Sequence, residues 1–160
     1  GEQEGGMRAG TENFPAVAAM LAALEAREAA LLEETTASRD AFEAALRKAI
    51  PGVQILASEV PRLPNTSLCL MPRHPNTRWV ARLDKLGFQV STGSACATGK
   101  EEPSHVLHAH GIDADAARRA VRVSGGWTQT REDWLALAEA FAKVWQTLEA
   151  ETEQSQVISI

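Results

Sequence analysis

The sequence predicts an α/β fold in which a short-stranded sheet is packed by helices and preceded by a long helix. Three observations carry that expectation. Apolar residues recur near a 3.6-residue period over 14–50 and again from Trp134 to Leu148. Short runs rich in Val, Ile, Leu and Thr stand between them, bounded by Pro and Gly. One amphipathic stretch separates two of those runs, which is the order of a crossover connection.

Residues 1–13 hold four glycines among Gln3, Arg8, Thr11, Glu12 and Asn13, a loop with backbone freedom and hydrogen-bonding side chains. The first helical pattern follows, with Phe14, Val17, Leu21, Leu24, Leu31, Phe42, Leu46 and Ile50 near one period and Ala, Glu and Arg as filler. Thr11 or Asn13 can cap it, Pro15 suits its first turn, and Pro51-Gly52 ends it. Thr35-Thr36 marks a bend or break, and the apolar stripe reads as ordinary core packing. Strands are expected at Val53–Leu56, Thr66–Met71, Phe88–Val90 and Ala120–Ser124. Pro75 opens a helix with Trp79, Val80, Leu83 and Leu86 on one face, closed by Gly87. Ser104 can cap a short helix and Asp113 another turn. Thr130-x-x-Asp133 is a capping box for the last helix, and residues 151–160 read as a frayed tail.

At 160 residues, with 44% hydrophobic residues and a net charge of −5, the chain is long enough for one core and too acidic for a general nucleic-acid binder. No run approaches the ~20 apolar residues of a membrane helix, and two cysteines in unlike contexts suggest a reducing compartment, the cytoplasm. The Gly-rich opening without an initiator Met suggests a piece of a longer protein.

Ser91–Gly99 is the stretch with the clearest chemical character. Cys96 stands among small residues, poorly shielded, whereas Cys69 sits between Leu68 and Leu70 like a small core hydrophobe. Cys96 reads as a nucleophile or sulfur carrier, with a surface cysteine in a Gly/Ser loop as the alternative. His105, His108 and His110 cluster nearby, but no second cysteine is spaced to complete a zinc site, so no metal is assigned. Arg122, between two valines, can present a bidentate fork to a carboxylate or form a strand-edge salt bridge. Arg8 and Thr11, in a glycine loop before a helix, suit an anion or phosphate.

Four segments together resemble the C-terminal part of a cysteine desulfurase of the NifS/IscS type, a pyridoxal-phosphate enzyme of the class V aminotransferase family. Gly1–Asn13 resembles the family's G-x-Q-E-x-G-x-R-S-G-T-x-N loop, with Ala9 for the usual serine. Leu63-Pro64-Asn65-Thr66 matches L-P-N-T. Ser94-Ala95-Cys96 through Glu102–Leu107 is similar to G-S-A-C…E-P-S-H-V-L, and Val121-Arg122-Val123-Ser124 matches the late I/V-R-x-S strand, with Gly125-Gly126-Trp127 departing from the commoner form.

The resemblance implies that 1–13 belongs to a cofactor domain missing here, 14–50 to a long connecting helix, 51–150 to a small α/β domain carrying the Cys96 loop, and 151–160 to a tail. It makes Cys96 the catalytic cysteine, which takes sulfur from L-cysteine as a persulfide with release of alanine. Its mobile loop would present that sulfur to an acceptor, such as an iron–sulfur scaffold protein. Arg122 would hold the substrate α-carboxylate, and Thr11 would contact the cofactor phosphate of the neighbouring subunit in a homodimer. The short G-S-A-C form is closer to the group serving general iron–sulfur assembly than to the R-x-G-H-x-C group. The family's Schiff-base lysine lies in an S-x-H-K segment upstream of the opening loop. Lys48, Lys85, Lys100 and Lys143 lack that context, so the isolated chain is expected neither to hold pyridoxal phosphate covalently nor to turn over cysteine. A selenocysteine-type lyase and a free-standing sulfur-carrier or interaction module are the alternatives.

Overall fold

A computed structural model describes residues 3–7, 9–30, 32–92, 104–126 and 128–157. The chain divides into two compact units, Gly1–Leu32 and Glu33–Ile160. The first opens with a single 3-10 turn, Gln3–Gly6, in which Glu4 and Gly5 take left-handed backbone angles (φ 54° and 64°). Helix α1 (Phe14–Ala30) follows. Asn13 caps it, its Oδ1 accepting the Ala16 N–H at 3.2 Å. The stripe on α1 is not core: Phe14 is 76% exposed, and Val17, Leu21 and Leu24 are each nearly half exposed. Periodicity marks a face that favours burial, not the surface that buries it.

Helix α2 (Leu32–Ala49) carries the rest of the pattern, and Phe42, Leu46 and Ile50 are fully buried. Helix α1 ends at Ala30 and α2 begins at Leu32, so Thr35-Thr36 lie inside α2. Among the described residues the sheet has four strands, β1 (Gln54–Ile55), β2 (Thr66–Leu70), β3 (Ser91–Thr92) and β4 (Ala120–Ser124), in the order β1-β2-β4-β3 with every neighbour antiparallel. Strands β2 and β3 therefore run the same way on either side of β4. Helix α3 (Asn76–Lys85) connects them, which is the expected crossover. The strand expected at 88–90 begins later, at Ser91. Gly87 (φ 86°) and Phe88 are still closing α3, their N–H groups donating to Asp84 O and Leu83 O at 2.9 Å each, a Schellman cap that takes Phe88 out of the ladder.

Alternation sorts the sheet residues onto two faces. Cys69, Val121 and Val123 face the main core, packed by Phe42 from α2, Trp79 from α3, and Trp134 and Phe141 from the last helix, α6 (Arg131–Val157). Phe42 lies 5.6 Å from Trp134 and 5.9 Å from Phe141, ring centre to ring centre. On the other face Leu70 and Ala120 are covered by Leu107 of α4 (His105–Ala109) and Ala117 of α5 (Ala114–Ala117). The predicted caps of the last two helical segments form: Asp113 Oδ1 accepts from Ala116 N at 2.8 Å, and Thr130 and Asp133 bond reciprocally. Residues 151–157 are not frayed but helical. Arg78 and Arg82 of α3 reach Glu151 at 2.7 Å and tie the end of α6 down.

Candidate active site

The strand pattern lifts one guanidinium out of the core. Arg122 stands on β4 between buried Val121 and Val123 and on the opposite face from both. Its register partners are Leu68 on β2 and Ser91 on β3, so Leu68, Arg122 and Ser91 form one row across the sheet. Thr66 and Ser124 form the next row, their hydroxyls 3.3 Å apart. Among the described residues, every other arginine that is buried or half-buried has a partner. Arg39, Arg62, Arg78 and Arg82 hold carboxylates, and Arg119 donates to the carbonyls of Met71 and Pro72. Arg122 is half-buried and has neither an ion pair nor a hydrogen bond among them. A partly desolvated fork with five donors and no partner among the described residues suits a carboxylate.

The loop before β2 is held onto α2 by buried charge. Glu43 is 3% exposed and takes both terminal nitrogens of Arg62, at 2.6 and 2.7 Å. Arg39, 6% exposed, donates to Leu63 O at 2.6 Å and to Asp40. Asn65, in the same loop, bonds Gly125 just past β4. Reading the sequence assigned these residues no role. Glu43 and Arg39 look like ordinary polar helix positions, and the only signal at Asn65 is its place in L-P-N-T. Gly125 packs against Trp134, where an added Cβ would stand 2.6 Å from the indole ring. Gly125→Ala is therefore expected to destabilise the second unit by about 1–3 kcal/mol through overpacking, read as a shift in the urea midpoint at constant slope.

Thr11 lies in the first unit, after Gly10 (φ 99°) and three residues before α1. Thr11 thus belongs to one unit and Arg122 to the other, and the loop of Cys96 and Lys100, together with Arg8, lies outside the described residues. His108 and His110 are exposed at the end of α4; the His105 side chain is also outside the description. The described lysines, Lys48, Lys85 and Lys143, sit exposed on α2, α3 and α6. These residues fit a carboxylate contact at Arg122 and a phosphate contact at Thr11.

Cys69 is fully buried, with Ser67 Oγ 3.5 Å from its sulfur, and burial pushes its thiol up to about 12. It is a core residue, as its flanking leucines predicted. The folded state holds this proton more tightly than the unfolded chain does. That contribution to stability is complete below the unfolded thiol's pKa and is lost as pH rises toward 12. Alkylation with iodoacetamide at neutral pH is expected to leave Cys69 unmodified in the folded chain and to label it in urea, as read by peptide mass.

These features converge on a known class. The aminotransferase class-V family model matches residues 2–137, and the chain belongs to that family. Within it, the chain is 42% identical over 127 residues to the cysteine desulfurase of Rhodobacter capsulatus, covering 78% of this chain and 33% of that protein. It is 36% identical over 137 residues to the cysteine desulfurase NifS of Azotobacter vinelandii, covering 83% and 34%. The solved structure of a NifS-like protein from Rickettsia africae superposes with a TM-score of 0.72 at 30% identity, covering 91% of this chain and 38% of that one. The chain thus spans about one third of the length of the curated relatives it matches. The architecture of small antiparallel sheet and packing helices is that of the matching part of these proteins.

Proposed function

We propose that the chain is the sulfur-accepting part of a cysteine desulfurase, in which Arg122 holds the α-carboxylate of L-cysteine and Cys96 takes its sulfur. The observation that carries this reading is the half-buried Arg122 without a partner among the described residues, standing in the V-R-V-S strand. A guanidinium fork bound to the carboxylate fixes the orientation of the substrate for transfer of its sulfur to Cys96. Cys96 acts as the thiolate. The new S–S bond forms as the substrate's Cβ–S bond breaks, the electron pair stays with Cβ, and Cβ takes up a proton and leaves as alanine. Pyridoxal phosphate, when bound, supplies the electron sink that makes the Cβ–S bond breakable. The Thr11 hydroxyl and the glycine loop around it suit the cofactor's phosphate.

The persulfide on Cys96 passes to an acceptor thiol, in iron–sulfur assembly or related sulfur traffic, within a homodimer in the cytoplasm. Among the described residues no helix is long and apolar enough to cross a membrane. Because no lysine stands in the S-x-H-K context, the chain by itself is expected to release no alanine from cysteine. The same fact favours a second reading for the chain in isolation, a sulfur carrier that receives persulfide from another protein.

Cys96→Ala tests the proposal. In the holoenzyme, sulfide production with L-cysteine and a reducing thiol is expected to fall at least about a thousandfold, as for loss of a nucleophile. Unchanged turnover would remove Cys96 from the reaction. The isolated wild-type chain distinguishes the carrier: it accepts sulfur from a donor persulfide without releasing alanine.

A further inference from the structure

The strand that carries Arg122 is pinned from outside the sheet. Gly125, three residues beyond it, has both its polar groups bonded to one residue. Its N–H donates to Asn65 O at 2.9 Å, and its carbonyl accepts from Asn65 Nδ2 at 2.7 Å. On another side stands the buried indole of Trp134, too close to admit a Cβ. Asn65 is itself anchored, because Arg39 holds Leu63 O and the Glu43–Arg62 pair holds the start of the same loop against α2.

This hold falls where the sheet stops providing one. Strand β3 pairs with Arg122 and Val121 and goes no further along β4. Among the described residues, the strand beyond Arg122 is secured from the β2 side alone, through Ser67↔Val123 and Thr66↔Ser124. Asn65 adds two hydrogen bonds one residue past the end of that ladder. A fork must meet a carboxylate along two parallel bonds, so a small shift of its strand weakens both.

We propose that Asn65 is a positioning residue for the substrate carboxylate: by pinning Gly125 it sets the height and direction of Arg122. The proposal rests on the reading of Arg122 given above. Asn65 touches neither substrate nor cofactor, and it acts through the Gly125 peptide and the strand.

The test uses the holoenzyme and two probes, L-cysteine as substrate and cysteamine, which lacks the α-carboxylate, as inhibitor. Asn65→Ala, with Asn65→Ser as the milder variant, is expected to raise KM for L-cysteine about tenfold, with kcat held within about twofold and Ki for cysteamine unchanged. Neither KM nor Ki depends on the fraction of enzyme folded, so loss of stability does not mimic this result. If KM and Ki move together, or neither moves while the melting temperature falls, Asn65 is only structural and the proposal is overturned. Arg122→Ala is measured alongside. If it too leaves the preference for L-cysteine over cysteamine intact, the carboxylate reading itself fails. If it abolishes the preference and the Asn65 variants do not, only the Asn65 proposal fails.

Discussion

Glu43→Ala is expected to destabilise the second unit by about 3–5 kcal/mol, the cost of leaving a buried charge without its partner. Glu43 is the anion beneath Arg62, and its side chain is 4% exposed against 15% for Arg62. Arg39, 3.9 Å from Glu43, keeps Asp40, but Arg62 loses both of its short bonds. Glu43 also raises the Arg62 guanidinium further above its ordinary value, chiefly through the hydrogen bond between them. Removing the carboxylate strands that cation at the Thr66 end of β2. The double change Glu43→Ala, Arg62→Ala is expected to be less damaging than the sum of the two single changes, because it leaves no orphan charge. Urea unfolding of all four forms measures this. Additive losses would show that the pair is an incidental contact.

Arg122→Ala is expected to raise KM for L-cysteine about a hundredfold in the holoenzyme, the scale of losing a charge-assisted bidentate contact. It is expected to leave the fold nearly as stable as before. Arg122 has no partner among the described residues, so its removal strands no carboxylate among them, and changes that break no such contact lie within about 0.5 kcal/mol. Arg122→Lys keeps the charge without the planar fork and should recover only a small part of the loss. A large fall in stability with unchanged KM would make Arg122 a structural cation.

The two predictions concern residues of opposite legibility. Arg122 stood out in the sequence because a charge between valines in a short β run has to face away from the core, and β4 forms at Ala120–Ser124 as expected. Local chemistry of this kind also marked Gly87, Asp113 and the Thr130–Asp133 box, where the partner lies within a few residues. Glu43 was not legible, because its partner arrives from a loop 19 positions away and nothing in the helix pattern marks it as buried. Asn65 and Gly125, 60 positions apart, are the same case. The α1 stripe failed in the reverse sense: its periodicity was real, but Phe14, Val17, Leu21 and Leu24 are exposed, and periodicity alone does not supply the surface that buries a face. The end of α6 was read as a tail because its ion-pair partners, Arg78 and Arg82, come from a different helix.

The central claim is that sulfur from L-cysteine comes to rest on Cys96. Its most direct test is to incubate the holoenzyme with L-cysteine labelled with heavy sulfur, trap thiols and persulfides by alkylation, and weigh the peptides. The expected result is one labelled sulfur added to the peptide containing Cys96, none on the peptide containing Cys69, and one alanine formed for each sulfur bound. Alanine and free sulfide appearing with no added sulfur on Cys96 would contradict it.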